Sequence, residues 1–169
     1  MKDFTYKGYT IRRIIPEDNP AVAVLIRYNL KKHHLDIPGT VYFDSCVNDI
    51  YGVYADRDNC GYYVLLDDTG KLVGGIGFDR LNRIPDCAEL QKMYLDDSVK
   101  GQGLSYILIE FVEAQMLKAG FNKAYLETHS NLEAAIHVYE KCGYKPIDRP
   151  SEVEHGAMDH FYLKVLNTN

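Results

Sequence analysis

The stretch "CAELQKMYLDDSVKGQGLSYILIEFVEAQ", Cys87 to Gln115, constrains the fold more than any other part of this chain. A β-rich run ends at Leu95, and Lys100-Gly101-Gln102-Gly103 follows as a turn. A helical stripe then begins, with apolar residues at Leu104, Ile107, Leu108, Phe111 and Val112. Lys118-Ala119-Gly120 closes that helix, with a cation in the last turn and glycine past the end. Strand, glycine turn and helix start together are the physical setting for an anion site. Glycine lets the backbone take φ > 0 and approach a ligand, and the first helical N–H groups point outward at the positive end of the macrodipole. A plain tight turn remains the other reading. Two well-known phosphate loops are excluded. A G-x-x-x-x-G-K-[ST] loop puts lysine after the second glycine, whereas Lys100 precedes both. A dinucleotide G-x-G-x-x-G fingerprint lacks its third glycine at Tyr106.

The surrounding chain supplies alternating strand and helix signals. "YTIRRII" from Tyr9 reads as a strand stopped at Pro16, and Asp18-Asn19-Pro20 as a helix start with proline just inside. Val22, Leu25, Ile26 and Leu30 give the next helix one apolar face, and "CVNDIYGVYADRD" reads as a second, short helix. "GYYVLLDD" and "KLVGGIGFDRL" flank Asp67-Asp68-Thr69-Gly70, an antiparallel hairpin signal. "KAYLET" is a strand, and Ser130 with Glu133 spells a capping box ahead of a helix carrying Leu132, Ala135, Ile136 and Tyr139. Gly143 stops that helix, and "YKPIDRP" and "MDHFYLKVL" are the last strands. The order β-α-α-β-β-β-α-β-α-β-β predicts an α+β or mixed α/β domain of one central sheet, with about seven strands and about four helices.

Length bounds the rest. At 169 residues, positions 1–169 form a single domain large enough to bury a core without metals or disulfides. The formal net charge of −5 disfavours a nucleic-acid binder, which needs a basic face. The four cysteines form no C-x-x-C pair, so neither a zinc knuckle nor a redox dithiol is expected, and no metal site is assigned. The start "MKDFTYKGYT" is polar and aromatic, unlike a signal peptide, and no apolar run is long enough for a membrane span. A cytoplasmic protein with no membrane partner is the expectation.

The motifs then carry a resemblance. "ELQKMYLDDSVKGQGLS" resembles motif A of the GNAT N-acetyltransferase superfamily, Q/R-x-x-G-x-G/A after its fourth strand, with Lys100 in place of arginine or glutamine and Ser105 in place of the last small residue. "LETHSNLEAAIHVYEKCGYKPI" resembles the second motif through Ala135, Tyr139, Glu140, Lys141, Gly143 and Tyr144. The likeness runs from about Tyr9 to the end of the chain and implies the GNAT-like, mostly antiparallel sheet. It implies acetyl-CoA as cosubstrate, its pyrophosphate taken by the backbone of Val99, Lys100, Gly101, Gln102, Gly103, Leu104 and Ser105. The pantetheine arm would lie along the splayed fourth strand at Met93 and Leu95, with the Met93 N–H on the thioester carbonyl as an oxyanion donor. Asparagine precedes the second-motif tyrosine by seven residues in many relatives. Leu132 stands there and Asn131 is one earlier, so no coenzyme contact is carried over to it.

Acetyl transfer to an amine moves two protons, because a primary amine of pKa roughly 10 is protonated at neutral pH and the leaving thiolate benefits from a donor. Tyr139 matches the family's acid, and a buried core tyrosine is the competing reading. Glu89 resembles the base of histone-acetylating relatives, with ordered water or a merely solvated glutamate as alternatives. Strict alternation places Glu89, Gln91, Met93 and Leu95 on one face. The acceptor, a small-molecule or peptide amine, is expected against the segment from Tyr28 to Asp58, rich in Tyr28, Tyr42, Tyr51, Tyr54, Asp36, Asp44, Asp49 and Asp56, with helix packing and a solvated acidic face as the reading for most of these residues. His155 and His160 are placed to approach the same site. The expected activity is amine acetylation by direct attack. A non-catalytic acyl-CoA sensor is the alternative, and a homodimer is left open.

Overall fold

The computed structural model describes residues 3–153 and 155–166. Its elements are β1 (Phe4–Tyr6), β2 (Tyr9–Arg13), α1 (Asn19–Lys32), α2 (Ile50–Tyr54), β3 (Gly61–Leu66), β4 (Leu72–Arg80), β5 (Cys87–Leu95), α3 (Leu104–Lys118), β6 (Lys123–Thr128), α4 (Glu133–Lys141), β7 (Lys145–Ile147) and β8 (His160–Val165). One eight-stranded sheet runs in the order β1-β2-β3-β4-β5-β6-β8-β7. Every neighbouring pair is antiparallel except β5 and β6. The mixed, mostly antiparallel sheet with four α-helices is as expected, and the strand beyond the expected number is β1. Lys7 (φ 48°) and Gly8 (φ 86°) join β1 to β2 as a two-residue hairpin turn with both central residues at positive φ. A strand of three residues is too short to show its alternation.

The two sheet faces carry separate cores. On one, α3 lays Leu104, Leu108, Ile109, Val112 and Met116 against Ile76, Phe78 and Leu90, and Tyr139 of α4 joins them. On the other, Val22, Ile26 and Leu30 of α1 and Ile50 and Tyr54 of α2 pack against Tyr62 and Val64. Gly75 and Gly77 of β4 make this second core possible. A Cβ on Gly75 would stand 2.5 Å from the Tyr62 hydroxyl, and one on Gly77 would stand 2.7 Å from the Tyr62 ring. The glycines that weaken β4 as a strand therefore let Tyr62 lie across it, where its hydroxyl donates to the Lys92 carbonyl at 3.0 Å.

That carbonyl belongs to a β-bulge. Gly77 pairs with Gln91 and Gly75 with Tyr94, so Lys92 and Met93 together oppose Ile76, and Lys92 takes φ 49°. The bulge overturns strict alternation. Glu89 and Gln91 share their face with Tyr94, whereas Met93 and Leu95 turn to the α3 face. A second correction concerns side-chain caps, since α1 does start behind Asp18 with proline in its first turn. Asp18 makes no side-chain cap. Its carboxylate instead takes Arg12 at 2.7 and 2.9 Å and the Ile15 N–H at 2.9 Å, which pins β2 to the start of α1. Ser130 does not form the capping box either. It bonds Asp159, and α4 begins after Leu132 without a side-chain cap. The helix ends are as read: Gly120 and Gly143 both take φ 90°, and the N–H groups after them reach back to Met116 and Tyr139.

Candidate active site

The parallel pairing of β5 with β6 lasts only from Cys87–Lys123 to Glu89–Tyr125. Beyond Glu89 the strands part, so among the described residues β5 from Leu90 to Leu95 has no paired strand on that side. A cavity of about 480 Å³ fills the gap, and every residue from Glu89 to Leu95 lines it. Its walls come from α1 and the segment after it (Asn29, Leu30, His33, Leu35, Thr40, Val41) and from α4 (Ala135, Val138, Tyr139). Asn29 ties α1 to β5: its Nδ2 donates to Leu25 O within the helix and to Leu95 O at 3.2 Å.

One end of the cavity is built from main chain. Val99, Lys100, Gly101, Gly103, Leu104 and Ser105 all line it. Gly101 and Gly103 take φ 77° and 75°, values that side-chain-bearing residues avoid, and a Cβ on either would meet no protein atom within 4 Å. The N–H groups of Val99 and Lys100 already bond the Asp96 and Asp97 carbonyls. Among the described residues no protein acceptor takes the N–H of Gly101, Gln102, Gly103, Leu104 or Ser105. A row of unspent donors at the start of a 15-residue helix suits a polyanion. Gln102 points its side chain elsewhere, accepting from the Tyr9 hydroxyl at 2.9 Å. The Lys100 ammonium is held by Asp97 at 2.7 Å, beside Lys32 at 2.6 Å and the Tyr28 hydroxyl at 2.9 Å. Lys100, Lys32 and Tyr28, in that order, hold the Asp97 carboxyl well below the usual carboxylate range. His33 lines this end as well, and burial, with Lys100 and Lys32, lowers its pKa. These residues fit the pyrophosphate of a coenzyme A: free backbone donors, open space at two glycines and cations at the rim.

The other end is built from side chains. Tyr139 lines the cavity with 6% of its surface exposed, and its ring packs edge-on to Tyr144 at 6.0 Å. Burial, helped by Tyr94 and Cys142, raises its phenol above the ordinary tyrosine range. Glu89 accepts from Gln91 Nε2 at 2.7 Å, and Gln91 Oε1 accepts from the Tyr54 hydroxyl at 2.6 Å. Tyr54 thereby orients Glu89 through Gln91. The structure brings Glu89, Met93, Leu95 and Tyr139 to one cavity with the glycine turn. His155 lines it too, with Nε2 2.9 Å from Asp44 Oδ2, whereas His160 bonds Asp159 outside it.

The segment expected at the acceptor divides in two: Asn29, Leu30, His33, Leu35, Thr40 and Val41 line the cavity. None of the tyrosines and aspartates singled out between Tyr28 and Asp58 lines the cavity, and several of them hold the scaffold, in line with the packing reading. Tyr28 joins α1 to Asp97, Asp49 caps α2 and Asp44 holds His155. The cavity's carboxylates come from the sheet, as Glu89 and Glu127. Glu127 was missed, although it alternates with Tyr125 in "KAYLET" as a charge on a strand otherwise read as core. Asn131 reaches away and donates to the His33 carbonyl at 2.9 Å, while Leu132 lines the cavity. Among the described residues no group of three His, Cys, Asp or Glu is placed to hold a metal ion, and no helix is long and apolar enough to cross a membrane.

Comparison with known proteins bears on the family and the fold. The profile of the Acetyltransferase (GNAT) family matches residues 28–144. The chain is 33% identical over 150 residues to the uncharacterized N-acetyltransferase YjgM of Escherichia coli (strain K12), covering 88% of this chain and 89% of that one. The fold is similar to an acetyltransferase of the GNAT family from Staphylococcus aureus Mu50, with TM-score 0.81, 17% identity and coverage of 94% and 99%. It is also similar to PaiA N-acetyltransferase from Thermoplasma acidophilum in complex with coenzyme A, with TM-score 0.72, 22% identity and coverage of 93% and 98%. On the profile match and the YjgM relationship together, this chain belongs to the GNAT family of acetyltransferases.

Proposed function

We propose that the protein transfers an acetyl group from acetyl-CoA to a primary amine by direct attack. The observation that carries this reading is the parting of β5 from β6 beyond Glu89. It opens one cavity between the unspent N–H groups of the glycine turn and the carboxylates at its far end. The thioester supplies the activated acyl group, and the chain's own residues do the rest.

In this reading Gly101, Gln102, Gly103, Leu104 and Ser105 donate backbone N–H groups to the pyrophosphate, and Val99 and Lys100 shape the entrance. Met93 and Leu95 run beside the pantetheine arm, with the Met93 N–H on the thioester carbonyl. Such a donor counts most when negative charge develops on that oxygen. Glu89, oriented through Gln91 and Tyr54, takes the proton that the amine nitrogen loses as it bonds the carbonyl carbon. The carbon–sulfur bond then breaks, and Tyr139, kept protonated by burial, gives its proton to the leaving thiolate. The acceptor class, a small molecule or a peptide amine, belongs to the same proposal.

The test is thiol release from acetyl-CoA against a panel of alkylamines, polyamines, amino acids and peptides. The proposal predicts amine-dependent release and one N-acetylated product per thiol. Tight acetyl-CoA binding with no release across the panel would overturn it in favour of an acyl-CoA sensor.

A further inference from the structure

On the α1 face of the sheet, a collar of contacts encircles the gap between β5 and β6. Asn29 ties α1 to β5 through the Leu95 carbonyl at 3.2 Å. From the end of α1 the chain runs on to Asp44 and is joined to the far side of the gap at His33, Gly39 and Asp44. The His33 carbonyl accepts from Asn131 Nδ2 at 2.9 Å, the Gly39 carbonyl accepts from the Ala157 N–H at 3.2 Å, and Asp44 Oδ2 stands 2.9 Å from His155 Nε2. Asn131 leads into α4. The stretch holding His155 and Ala157 is tied to β6, because the Asp159 N–H donates to the Thr128 carbonyl at 3.2 Å. The collar therefore passes from β5 through α1, residues 33–44 and the β7–β8 connection to β6.

Local structure fixes both halves of the collar. Gly39 takes φ 81°, and a Cβ there would stand 3.2 Å from the Ala157 nitrogen, so glycine permits the turn and the close approach together. The Thr40 hydroxyl lies 2.9 Å from the carbonyl oxygens of both Leu35 and Ile37, which folds this segment onto itself. On the opposite half Arg149 donates to the Met158 carbonyl at 2.6 Å and to the Gly156 carbonyl at 3.3 Å. Both halves line the cavity, one through Leu35, Thr40 and Val41 and the other through His155 and Met158. Leu35, Thr40 and Val41 are 0%, 2% and 7% exposed. The walls of an open groove would meet solvent, and these do not.

Two magnitudes then decide what can reach Glu89. Residues 33–44 continue from α1, which lies one helix layer, about 10 Å, from the strands. A lysine side chain on a peptide lying outside the collar extends about 6 Å, five bonds of about 1.5 Å, and falls short of the parted edge of β5. A closer peptide main chain would need the place that the collar fills. The cavity of about 480 Å³ is also of the size that holds one drug-sized ligand, and in the reading above it takes the pantetheine arm and the acceptor together. The space left beside that arm suits a small molecule.

We infer that the acetyl acceptor is a free small-molecule amine that enters the gap whole, and that the collar excludes an amine carried on a peptide or protein. This rests on the acetyltransferase reading above and decides between the two acceptor classes it leaves open.

The experiment is the set of kcat/KM values across the amine panel, because their ratios measure the choice between competing acceptors. The best free amine or amino acid should exceed every peptide amine, whether lysine side chain or amino terminus, by at least about 30-fold. The double variant Asp44→Ala with Asn131→Ala removes two ties of the collar and no cavity-lining side chain. Its kcat/KM for the best free amine should stay within about threefold of wild type, and that for the best peptide should rise at least about tenfold. The wild-type comparison needs no variant, so it tests the exclusion even where the double variant does not fold. A peptide amine within about 30-fold of the best free amine, or no gain for peptides in the folded double variant, would overturn exclusion by the collar and leave the acetyltransferase reading standing. No turnover of any amine by the wild-type protein would overturn both.

Discussion

The two ends of the cavity are made of different material. At the glycine turn the groups facing the ligand space are main-chain N–H donors, and the side chains of Lys100 and Gln102 are engaged with Asp97 and Tyr9. At the far end the polar groups lining the cavity include the side chains of Glu89, Glu127 and Tyr139, carried by β5, β6 and α4. A backbone site tolerates side-chain replacement but not a change of φ. A side-chain site is the reverse, because its strands persist when one carboxylate is neutralised. Under the proposed function the same split separates the end that would hold the cosubstrate from the end that would meet the acceptor.

Substitutions break this comparison in a definite order. Gly103→Val should have the largest effect. It forces a β-branched residue to φ 75°, into space that no protein atom occupies, so it disturbs the turn without a clash in the core. Acetyl-CoA binding, measured by calorimetry, should fall below detection in a folded protein. Tyr139→Phe comes next. Loss of a general acid costs about 10²- to 10⁴-fold, so kcat should drop within that range while acetyl-CoA binding is retained. Unchanged kcat would remove the acid role.

Glu89→Gln should lower kcat less and remove the acidic limb of its pH profile, since protonation at Glu89 is what extinguishes the base. An unchanged profile would assign the proton to water. The alkaline side has its own sign. Burial raises the Tyr139 phenol above its ordinary value, so the proton it donates is present throughout the neutral range. That proton is lost only as pH rises past the raised value. The wild-type kcat should therefore show no alkaline decline below about pH 10 from this group. A decline near neutrality that disappears in Tyr139→Phe would contradict the raised phenol while leaving the acid role in place. Lys100→Ala should have the smallest effect, within about threefold on acetyl-CoA binding, because its ammonium is exposed and already paired with Asp97.

The legibility of the sequence follows the same division. The glycine turn, the helices beginning at Leu104 and near Leu132, and both glycine stops are local signals written in consecutive residues, and they stand where they were read. The acceptor end depends on pairings between distant strands. The bulge at Lys92 and Met93, which turns Met93 and Leu95 off the face of Glu89, arises from register with β4 and leaves no mark in "QKMYL". Glu127 becomes a cavity residue only because β5 leaves β6 two residues earlier. Composition alone left the tyrosines and aspartates between Tyr28 and Asp58 open to a groove or to packing. The partners of Tyr28, Tyr54 and Asp44, which are Asp97, Gln91 and His155, lie far along the chain, and those contacts make these three scaffold. Ser130 shows the same effect on a smaller scale, since Asp159 takes it away from the helix it appeared to cap.

The central claim is that coenzyme A is held by backbone donors at the glycine turn, and amide spectroscopy addresses it directly. In a ¹⁵N-labelled protein titrated with coenzyme A, the amides of Gly101, Gln102, Gly103, Leu104 and Ser105 should shift strongly and become protected from exchange. Those of Val99 and Lys100, already bonded to Asp96 and Asp97, should keep their protection. Saturation with coenzyme A while the Gly101–Ser105 amides neither shift nor gain protection would contradict the account.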